Sequence, residues 1–517
     1  MKEQGFKILW VDDEIDLLKP HIIFLENKGH RLDTAQYAAE ALEKIASEDY
    51  DVILLDEQMP GMQGLEALEE IKKLKPYLAV VMITKSEEEN IMEEAIGKEI
   101  SDYLIKPINP NEIILSLKKI FQKKNLIARQ TTRDYQREFG RIAMEITMAK
   151  DAETWAELYK KLSHWAVKMD EIDDEQLLEI LEGQLTEANR SFFKFIKENY
   201  EDWIQNFGPD DDAPVMSHNL LERYFLPSAR QKSMLIIIDN FRYDHWLSIS
   251  SSVKEMFGTM EEKTYYSILP TATQYARNSL FAGMMPADIK RYYPSLWKDD
   301  NEEGGKNLNE PQLLKTFFQR KRIDIDYKFY KILNPDFAER TAKQIKSLQS
   351  QDLIVVVYNF VDMISHAKTE MDLIKELASN DKAYRALIST WFENSHLLDI
   401  IRTGASQGRQ VFITTDHGSI NVKRPTKVIG DKETSLNLRY KSGRSLTFEE
   451  KHVLACRHPE RFKLPSPYVN GTYIFAKEDY FFVYPNNYNY YVRYFENTYQ
   501  HGGISLQEMI VPFVILR

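Results

Sequence analysis

Cysteine is nearly absent from this chain of 517 residues, which contains Cys456 alone. A single cysteine excludes an internal disulfide and is typical of a protein kept in a reducing compartment. The first residues, MKEQGFKILWVDDE, carry no apolar signal segment, and no apolar run elsewhere in the sequence is long enough to cross a bilayer. We therefore expect a cytoplasmic protein without membrane insertion.

The chain also has no excess of basic over acidic residues, since its formal net charge at pH 7 is −12. This charge argues against a protein that binds DNA over its whole surface, but it leaves room for a local basic site. Low-complexity tracts are missing too, and hydrophobic residues make up 43% of the chain, which is enough for globular packing throughout. A chain of this length exceeds one hydrophobic core, so two or three domains are expected.

Apolar runs alternate with helical patterns in two parts of the chain, and helical patterns alone lie between them. Residues 1–122 and 208–517 contain short runs such as VILLD and IVVVY, which are typical of buried parallel strands. Residues 123–207 have helical periodicity instead. We predict three domains: an N-terminal doubly wound α/β domain of the flavodoxin type, a helical bundle, and a C-terminal α/β domain.

Polar side chains stand at the strand ends of the first domain. Asp12 and Asp13 follow the first strand, Asp56 the third, Thr84 the fourth and Lys106 the fifth. The carboxyl ends of parallel strands meet at one edge of a sheet, so these side chains should converge. Three carboxylates form a hard-cation site that suits Mg²⁺, and Asp56 can then attack a phosphoryl group held by Lys106 and Thr84.

This pattern, with DEQMPGMQG around Asp56, resembles the receiver domain of bacterial response regulators over residues 1–122. The resemblance implies that Asp12, Asp13 and Asp56 bind Mg²⁺ and that a sensor histidine kinase phosphorylates Asp56. It also implies a switch formed by three residues: Thr84, Tyr103 and Lys106. Phosphorylated receivers commonly dimerise through their fourth and fifth helices and strands, so the resemblance implies a homodimer on phosphorylation.

Metal-type ligands follow the apolar runs of the C-terminal domain. In chain order they are Asp239, Asp362, His366, Asp416, His417 and His501. The spacing of four residues lets Asp362 and His366 face one point. A mixed set of oxygen and nitrogen ligands suits Zn²⁺ or Mn²⁺ better than Mg²⁺. Two such ions would stabilise the attacking and leaving oxygens of a displacement at phosphorus.

Two threonines, Thr271 and Thr273, follow a strand in the segment SILPTATQYARNS. A threonine alkoxide becomes a usable nucleophile when a bound metal lowers its pKa. Both side chains would point to the same side of an extended segment. We favour Thr271, which directly follows Pro270, and retain Thr273 as the alternative nucleophile.

The order Asp, Thr, Asp-x-x-x-His, Asp-His, His resembles that of the alkaline phosphatase superfamily, and the tail YVRYFENTYQHGGISLQEMIVP resembles its PglZ-type branch. A receiver, a helical middle and a PglZ-type domain are together similar to PorX-like response regulators of type IX secretion in Bacteroidetes. The resemblance implies one Zn²⁺ held by Asp239, Asp416 and His417 with the nucleophile, and a second held by the other three ligands. It implies a phosphodiesterase that acts on cyclic and linear nucleotide or oligonucleotide signals.

A function of a different class stays open beside hydrolysis. The PglZ-type domain can act mainly as a protein-binding module for a sigma factor or a type IX secretion component, with hydrolysis secondary. The complete ligand set argues against a domain that has lost catalysis, but it does not exclude both roles.

Candidate substrate contacts lie in two segments, one within residues 421–445 and one after the threonines. The first segment holds seven lysines and arginines, and we interpret it as a flexible basic loop that guides a polyanion, with a solvated surface loop as the alternative. Arg277 and Asn278 can donate to phosphate oxygens if a helix begins nearby, with capping or surface exposure as the alternative. The candidates are Arg277, Asn278, Lys423, Arg424 and Arg439.

Aromatic residues are concentrated in the segment YFFVYPNNYNYYVRYF, residues 480–495. Nucleic-acid bases can stack on such rings. Dense aromatic segments are more often strands in a core, and we favour that interpretation here.

Overall fold

The computed structural model divides the chain into two compact units, residues 1–134 and 135–517. The residues it describes are 5–75, 78–85, 100–170, 172, 174–205, 213–229, 232–300, 302, 304–431, 434–466 and 470–517. Within these ranges the side chains at 121–129, 175, 366, 370, 372 and 373 are not described. Both units are built around a central sheet, and in each of them the strand ends carry predicted site residues.

The first unit alternates strands with helices. Its elements are β1 Lys7–Val11, α1 Lys19–Asn27, β2 Arg31–Ala35, α2 Ala38–Ser47, β3 Val52–Asp56, α3 Gly64–Leu74, β4 Ala79–Thr84, β5 Asp102–Ile105 and α4 Pro110–Met148. The five strands form a parallel sheet in the order β2-β1-β3-β4-β5. Every residue of β3 is buried, since α2 and α3 pack on one face of the sheet while α1 and the start of α4 pack on the other. The predicted doubly wound receiver fold is confirmed.

Helices alone follow the first sheet, as the periodicity predicts. The long helix α4 continues past the boundary between the units and is followed by α5 Ala152–Asp170 and α6 Glu175–Gln205. The ring of Tyr135 on α4 lies 5.2 Å from that of Trp165 on α5, and its hydroxyl donates to Gln184 Oε1 on α6 at 2.8 Å. These contacts join the second half of α4 to both later helices.

The second unit continues as an α/β structure. Its strands are β6 Ser233–Ile238, β7 Met260–Tyr266, β8 Tyr327–Ile332, β9 Leu353–Tyr358, β10 Gln410–Thr414, β11 Ile420–Asn421, β12 Arg424–Ile429, β13 Tyr440–Gly443, β14 Thr447–Phe448, β15 Val453–Cys456, β16 Thr472–Ala476, β17 Tyr480–Val483, β18 Tyr499–Gln500 and β19 Ile510–Leu516. Six of them form the main sheet in the order β7-β19-β10-β6-β9-β8. The strands β10, β6, β9 and β8 run parallel, whereas β19 is antiparallel to both of its neighbours. The predicted C-terminal α/β domain is confirmed.

Helices surround this sheet and carry several of the predicted site residues. They are α7 Leu226–Ser228, α8 Tyr243–Lys254, α9 Thr273–Ala282, α10 Pro286–Tyr292, α11 Glu310–Lys321, α12 Pro335–Ile345, α13 Phe360–Glu370, α14 Asp372–Leu377, α15 Asp381–Glu393, α16 His396–Ser406, α17 Tyr488–Phe495 and α18 Leu506–Met509. In the described part of the chain, no helix combines the length and the apolar character needed to cross a bilayer.

Candidate active site

The ends of two neighbouring parallel strands bring the first ligand set together. Asp239 follows β6, and Asp416 and His417 follow β10. The two strands are in register from Ser233 with Gln410 onward, so the residues after them leave the sheet at the same edge. The apolar strands are completely buried because the sheet is covered on both sides, and this burial carries the three polar side chains into the interior.

Asp239, Asp416 and His417 form a compact buried cluster whose candidate ligand atoms all lie within 4.8 Å of one another. His417 Nε2 is 3.6 Å from Asp416 Oδ2 and 3.9 Å from Asp239 Oδ1. Burial raises the pKa of Asp239 to about 7, against the lowering effect of Arg277, and raises the pKa of Asp416. Burial also lowers the pKa of His417. Two buried carboxylates and a neutral imidazole at these distances are the donor set of a divalent-cation site.

The two candidate threonines have different environments. Thr273 is the first residue of α9, and its Oγ1 lies 3.0 Å from His417 Nε2 and 3.3 Å from Asp239 Oδ1. Thr271 is completely buried, donates from its hydroxyl to the carbonyl oxygen of Gly503 and accepts a hydrogen bond from the Gly502 amide. The structure therefore brings the hydroxyl of Thr273 to the ligand cluster, whereas that of Thr271 fixes the backbone after His501.

The second predicted ligand set lies beside the first. Asp362 is in the first turn of α13, and its Oδ1 is 3.8 Å from His501 Nε2. The ring of His501 stacks on that of His417, with 4.2 Å between centroids and 18° between planes. His366 is also on α13, but its side chain lies outside the described part of the structure. The described members of the two predicted sets thus form one contiguous constellation.

Arg277 is part of the ligand cluster rather than a contact open to substrate. Its side chain is 1% exposed, its Nη1 lies 2.6 Å from Asp239 Oδ2, and its Nε donates to Glu310 Oε1 at 2.6 Å. The other oxygen of Glu310 is 2.9 Å from Lys331 Nζ. Asn278 is buried as well and donates to the carbonyl oxygen of Lys306 at 3.2 Å. Arg277 and Asn278 are thus buried and engaged within the protein, and their contact with a substrate phosphate stays a prediction.

Glu310 and Lys331 are site residues that the sequence analysis missed. Glu310 is completely buried at the first position of α11, and Lys331 lies in β8. Both are remote in sequence from every ligand, and neither belongs to a strand-end motif. The only sequence signal is a carboxylate directly before Pro311 at a helix start, which ordinarily indicates a surface helix end.

In its described residues, the basic stretch 421–445 contains the strands β12 and β13 and arginines that pair with carboxylates. Arg439 is completely buried and holds Glu508 through Nε at 3.1 Å and Nη2 at 2.6 Å. Arg424, in β12, pairs with Glu478 at 2.6 Å and also with Asp479. These contacts engage Arg439 and Arg424 within the protein, and their substrate role stays a prediction. Lys423 is the exposed member of the three, with its Nζ 3.3 Å from Glu182 Oε2.

The receiver unit has its own cation site at the ends of β1 and β3. Asp12, Asp13 and Asp56 offer carboxylate oxygens that all lie within 4.8 Å of one another, with Asp13 exposed and the other two buried. Lys106 Nζ lies 2.9 Å from Asp12 Oδ2 and 2.8 Å from Asp56 Oδ1. Burial raises the pKa of Asp56, and Lys106 opposes that rise. Three carboxylates with one lysine leave a negative excess that fits Mg²⁺.

Two of the predicted switch residues, Thr84 and Lys106, lie at the carboxyl ends of β4 and β5. Thr84 Oγ1 donates to Glu57 Oε2, and Glu57 is a buried carboxylate that the sequence analysis did not single out. Tyr103 lies in β5 and is 36% exposed. Thr84 and Lys106 thus have internal partners on either side of Asp56.

Three family models match successive parts of the chain. The response regulator receiver domain matches residues 8–118, and the PorX response regulator linker domain matches 125–204. The BREX system PglZ alkaline phosphatase-like domain matches 222–516, which is more than half of the chain. The match to the linker model covers most of the segment that the periodicity predicts to be helical.

Similar proteins share a stretch of roughly the length of a receiver domain. The transcriptional regulatory protein ResD of Bacillus subtilis is 33% identical over 117 residues, 23% of this chain and 48% of that protein. A CpxR homolog of Haemophilus influenzae is 37% identical over 119 residues, 23% of this chain and 51% of that protein. A solved CheY-like receiver from Methanospirillum hungatei is 29% identical, with a TM-score of 0.23, and covers 24% of this chain and 98% of its own. The chain thus spans about half the length of the curated relatives it matches.

Proposed function

The chain belongs to the PglZ alkaline phosphatase-like family and has the domain order of PorX-like response regulators, and from this premise we propose that its effector domain is a zinc-dependent phosphodiesterase. The observation that carries the proposal is the hydroxyl of Thr273 in contact with the buried cluster of Asp239, Asp416 and His417. A threonine hydroxyl against a divalent-cation donor set is the arrangement that phosphoryl transfer by a covalent intermediate requires.

Zinc fits the residues that are present. Asp239, Asp416 and His417 would hold one ion, and Asp362 with His501 would contribute to a second, together with His366 as the family resemblance implies. Bound zinc would supply Lewis-acid stabilisation of the phosphoryl oxygens and lower the pKa of a coordinated hydroxyl. The raised pKa of the Asp239 carboxyl supports this fit, because it reflects buried negative charge that Arg277 compensates only in part.

Thr273 is our candidate for the nucleophile, in place of Thr271. Its Oγ would attack the phosphorus of a diester and displace one alcohol, and water would then displace the threonine oxygen and release the phosphomonoester of the other alcohol. Its place at the start of α9 puts backbone N–H groups of the first turn where they can donate to phosphoryl oxygens. Asn307 Nδ2 donates to the carbonyl oxygen of Thr273 at 2.9 Å and thereby fixes that turn.

The substrates we propose are cyclic and linear nucleotides or oligonucleotides. We propose further that a sensor histidine kinase phosphorylates Asp56, that the protein acts in the cytoplasm, and that the pathway it regulates is type IX secretion. The support for these points is the PorX-like domain order, which joins a receiver to a phosphatase-like effector in one chain. A sigma factor or a secretion component as partner belongs to the same proposal.

Metal removal tests the proposed activity. We expect the full chain to hydrolyse bis(p-nitrophenyl) phosphate, to lose this activity after chelation and dialysis, and to regain it when zinc is restored. Asp239→Asn should lower both the zinc content and the rate, because it removes a ligand charge from the buried cluster. Wild-type protein that contains zinc and hydrolyses no phosphodiester would favour the protein-binding alternative.

A further inference from the structure

Helix α17 turns its aromatic residues in two directions. Tyr488, Val492 and Phe495 pack on the apolar cluster of Ile420, Val422, Phe481 and Val483. Tyr490 and Tyr491, which point away from this cluster, are 62% and 39% exposed. The helix has no completely buried residue although five of its eight residues are aromatic. We call the rings of Tyr490, Tyr491 and the half-buried Tyr494 the aromatic platform.

Aromatic rings one turn apart on α17 are nearly parallel. Tyr490 and Tyr494 are one turn apart, with 6.1 Å between ring centroids and 13° between planes. Tyr491 and Phe495 repeat this geometry at 6.0 Å and 13°. Parallel rings on a helix surface present flat faces on which a planar base can stack, and such stacking is tolerant of base identity.

Cations lie against two rings of α17, of which only Tyr494 belongs to the platform. Lys375 Nζ on α14 is 5.1 Å from the ring centroid of Tyr494, and Lys427 Nζ in β12 is 5.1 Å from that of Tyr488. Arg493 lies on α17 itself and is exposed. Aromatic faces combined with lysine and arginine are the features that bind single-stranded nucleic acid, because the rings stack on bases and the cations meet phosphates.

Two chain segments, residues 362–375 and 494–501, contact each other at three points between the ligand constellation and this platform. His501 lies 3.8 Å from Asp362, Gln500 Nε2 donates to Thr369 Oγ1 at 3.3 Å, and Tyr494 meets Lys375. These three links occur in order along both segments. Seven extended residues span at most about 23 Å, so Tyr494 lies within that distance of His501. At roughly 3.4 Å per stacked base, a strand of at most about seven nucleotides reaches from His501 to Tyr494.

We propose that the aromatic platform is a stacking subsite for the bases of a single-stranded oligonucleotide whose scissile phosphodiester lies at the ligand constellation. The proposal rests on the proposed phosphodiesterase function and adds a preference for substrates of several nucleotides. It gives α17 a role as the far end of the substrate path, with Lys375 contributing a phosphate contact beside Tyr494.

The selectivity between substrates tests the subsite. The quantity to measure is kcat/KM for an oligothymidylate pentamer divided by kcat/KM for bis(p-nitrophenyl) phosphate. We expect Tyr490→Ala/Tyr494→Ala in the full, zinc-loaded chain to lower this ratio by about tenfold to a hundredfold, because stacking contributes about 1–3 kcal/mol per base. The loss should arise mainly from a higher KM for the pentamer. Tyr490→Phe/Tyr494→Phe should restore the ratio, since phenylalanine keeps the ring. The matched control is Tyr292→Ala, an exposed tyrosine on α10, which should leave the ratio unchanged.

Direct binding separates this proposal from the proposed activity. Fluorescence anisotropy of a labelled pentamer on the Thr273→Val protein should show affinity that the double alanine variant loses and the double phenylalanine variant keeps. Such binding without wild-type hydrolysis would refute the phosphodiesterase and leave the subsite standing. An unchanged ratio and unchanged affinity in the double alanine variant would overturn the subsite.

Discussion

Lys441 is a lysine whose amino group is held inside the effector unit. Its Nζ donates to the carbonyl oxygen of Ser435 at 2.8 Å and lies 4.9 Å from the ring centroid of Tyr484. Burial lowers the pKa of Lys441 to about 7, and Asp300 opposes this shift in part. A buried amino group with a lowered pKa destabilises the folded protein at any pH at which the group carries its charge.

The stability cost of Lys441 should depend on pH. Its unfolded pKa is near 10.5, so between about pH 7 and 10.5 the unfolded chain binds a proton that the folded chain lacks. Stability therefore rises with pH across this window, and the cost is fully present below about pH 7. We expect Lys441→Met to stabilise the protein at pH 6.5 by roughly 1–3 kcal/mol, since the lost hydrogen bond offsets part of the gain.

Thermal unfolding of the full chain at pH 6.5 and pH 9.5 measures this effect. The gain from Lys441→Met should shrink at the higher pH, while Lys451→Met at an exposed position should change little at either pH. A gain of equal size at both values would show that the ammonium charge is not its source.

The residues that form the buried ligand cluster could be predicted more easily than the threonine that contacts it. Asp239, Asp416 and His417 were predictable because each follows an apolar run that can only be a buried strand. Thr271 and Thr273 were not separable, because the choice depends on where α9 begins and on the hydrogen bonds to Gly502 and Gly503. Such partners come from distant parts of the chain.

Helices α5, α8 and α15 meet in a buried network of charges. Arg385 on α15 binds Asp170 on α5 through two nitrogens, at 2.7 and 2.8 Å, and Asp244 on α8 at 2.9 Å. Arg242, three residues after Asp239, shares Asp244 and lies 2.7 Å from Asp381. The network therefore ties a helix of the linker segment to the loop that carries a predicted zinc ligand.

Breaking this network should cost more than breaking a surface pair. We expect Arg385→Met to lower the free energy of unfolding by about 3 kcal/mol or more, because it leaves Asp170 without its arginine partner and Asp244 with Arg242 alone. Arg402→Met on α16 is the matched control, since Arg402 is 58% exposed and lies 3.7 Å from Asp399, and it should cost less than about 1 kcal/mol. Urea unfolding compares the two, and equal costs would mean that the network adds no stability.

Helices and strands with a clear hydrophobic pattern in the sequence were predictable, whereas elements whose conformation depends on tertiary contacts were not. The buried strands β3 and β9 are continuous apolar runs. The favoured expectation of a core strand in residues 480–495 holds for β17 and is wrong for α17, where packing on Ile420 and Val422 selects a helix. The charges of the basic stretch favour a loop, and they hide the pairing of β12 and β13 with other strands.

At the scale of the whole molecule, phosphorylation of Asp56 is expected to change association. A phosphoryl group would compete with Glu57 for the Thr84 hydroxyl and with Asp12 for Lys106, and so disturb the β4–β5 edge that carries Tyr103. We expect beryllofluoride with Mg²⁺ to convert the monomer to a dimer in sedimentation velocity. Asp56→Asn should stay monomeric, and a wild-type monomer unchanged by beryllofluoride would refute this coupling.

The central claim is that the effector hydrolyses phosphodiesters with Thr273 as the nucleophile. The most direct measurement is the steady-state rate on bis(p-nitrophenyl) phosphate of the zinc-loaded Thr273→Val protein, with wild type, Thr273→Ser and Thr271→Val alongside. The account predicts a fall of at least about 10³-fold in Thr273→Val, with zinc content preserved, partial activity in Thr273→Ser and a smaller loss in Thr271→Val. A wild-type rate in Thr273→Val, or a complete loss confined to Thr271→Val, would contradict it.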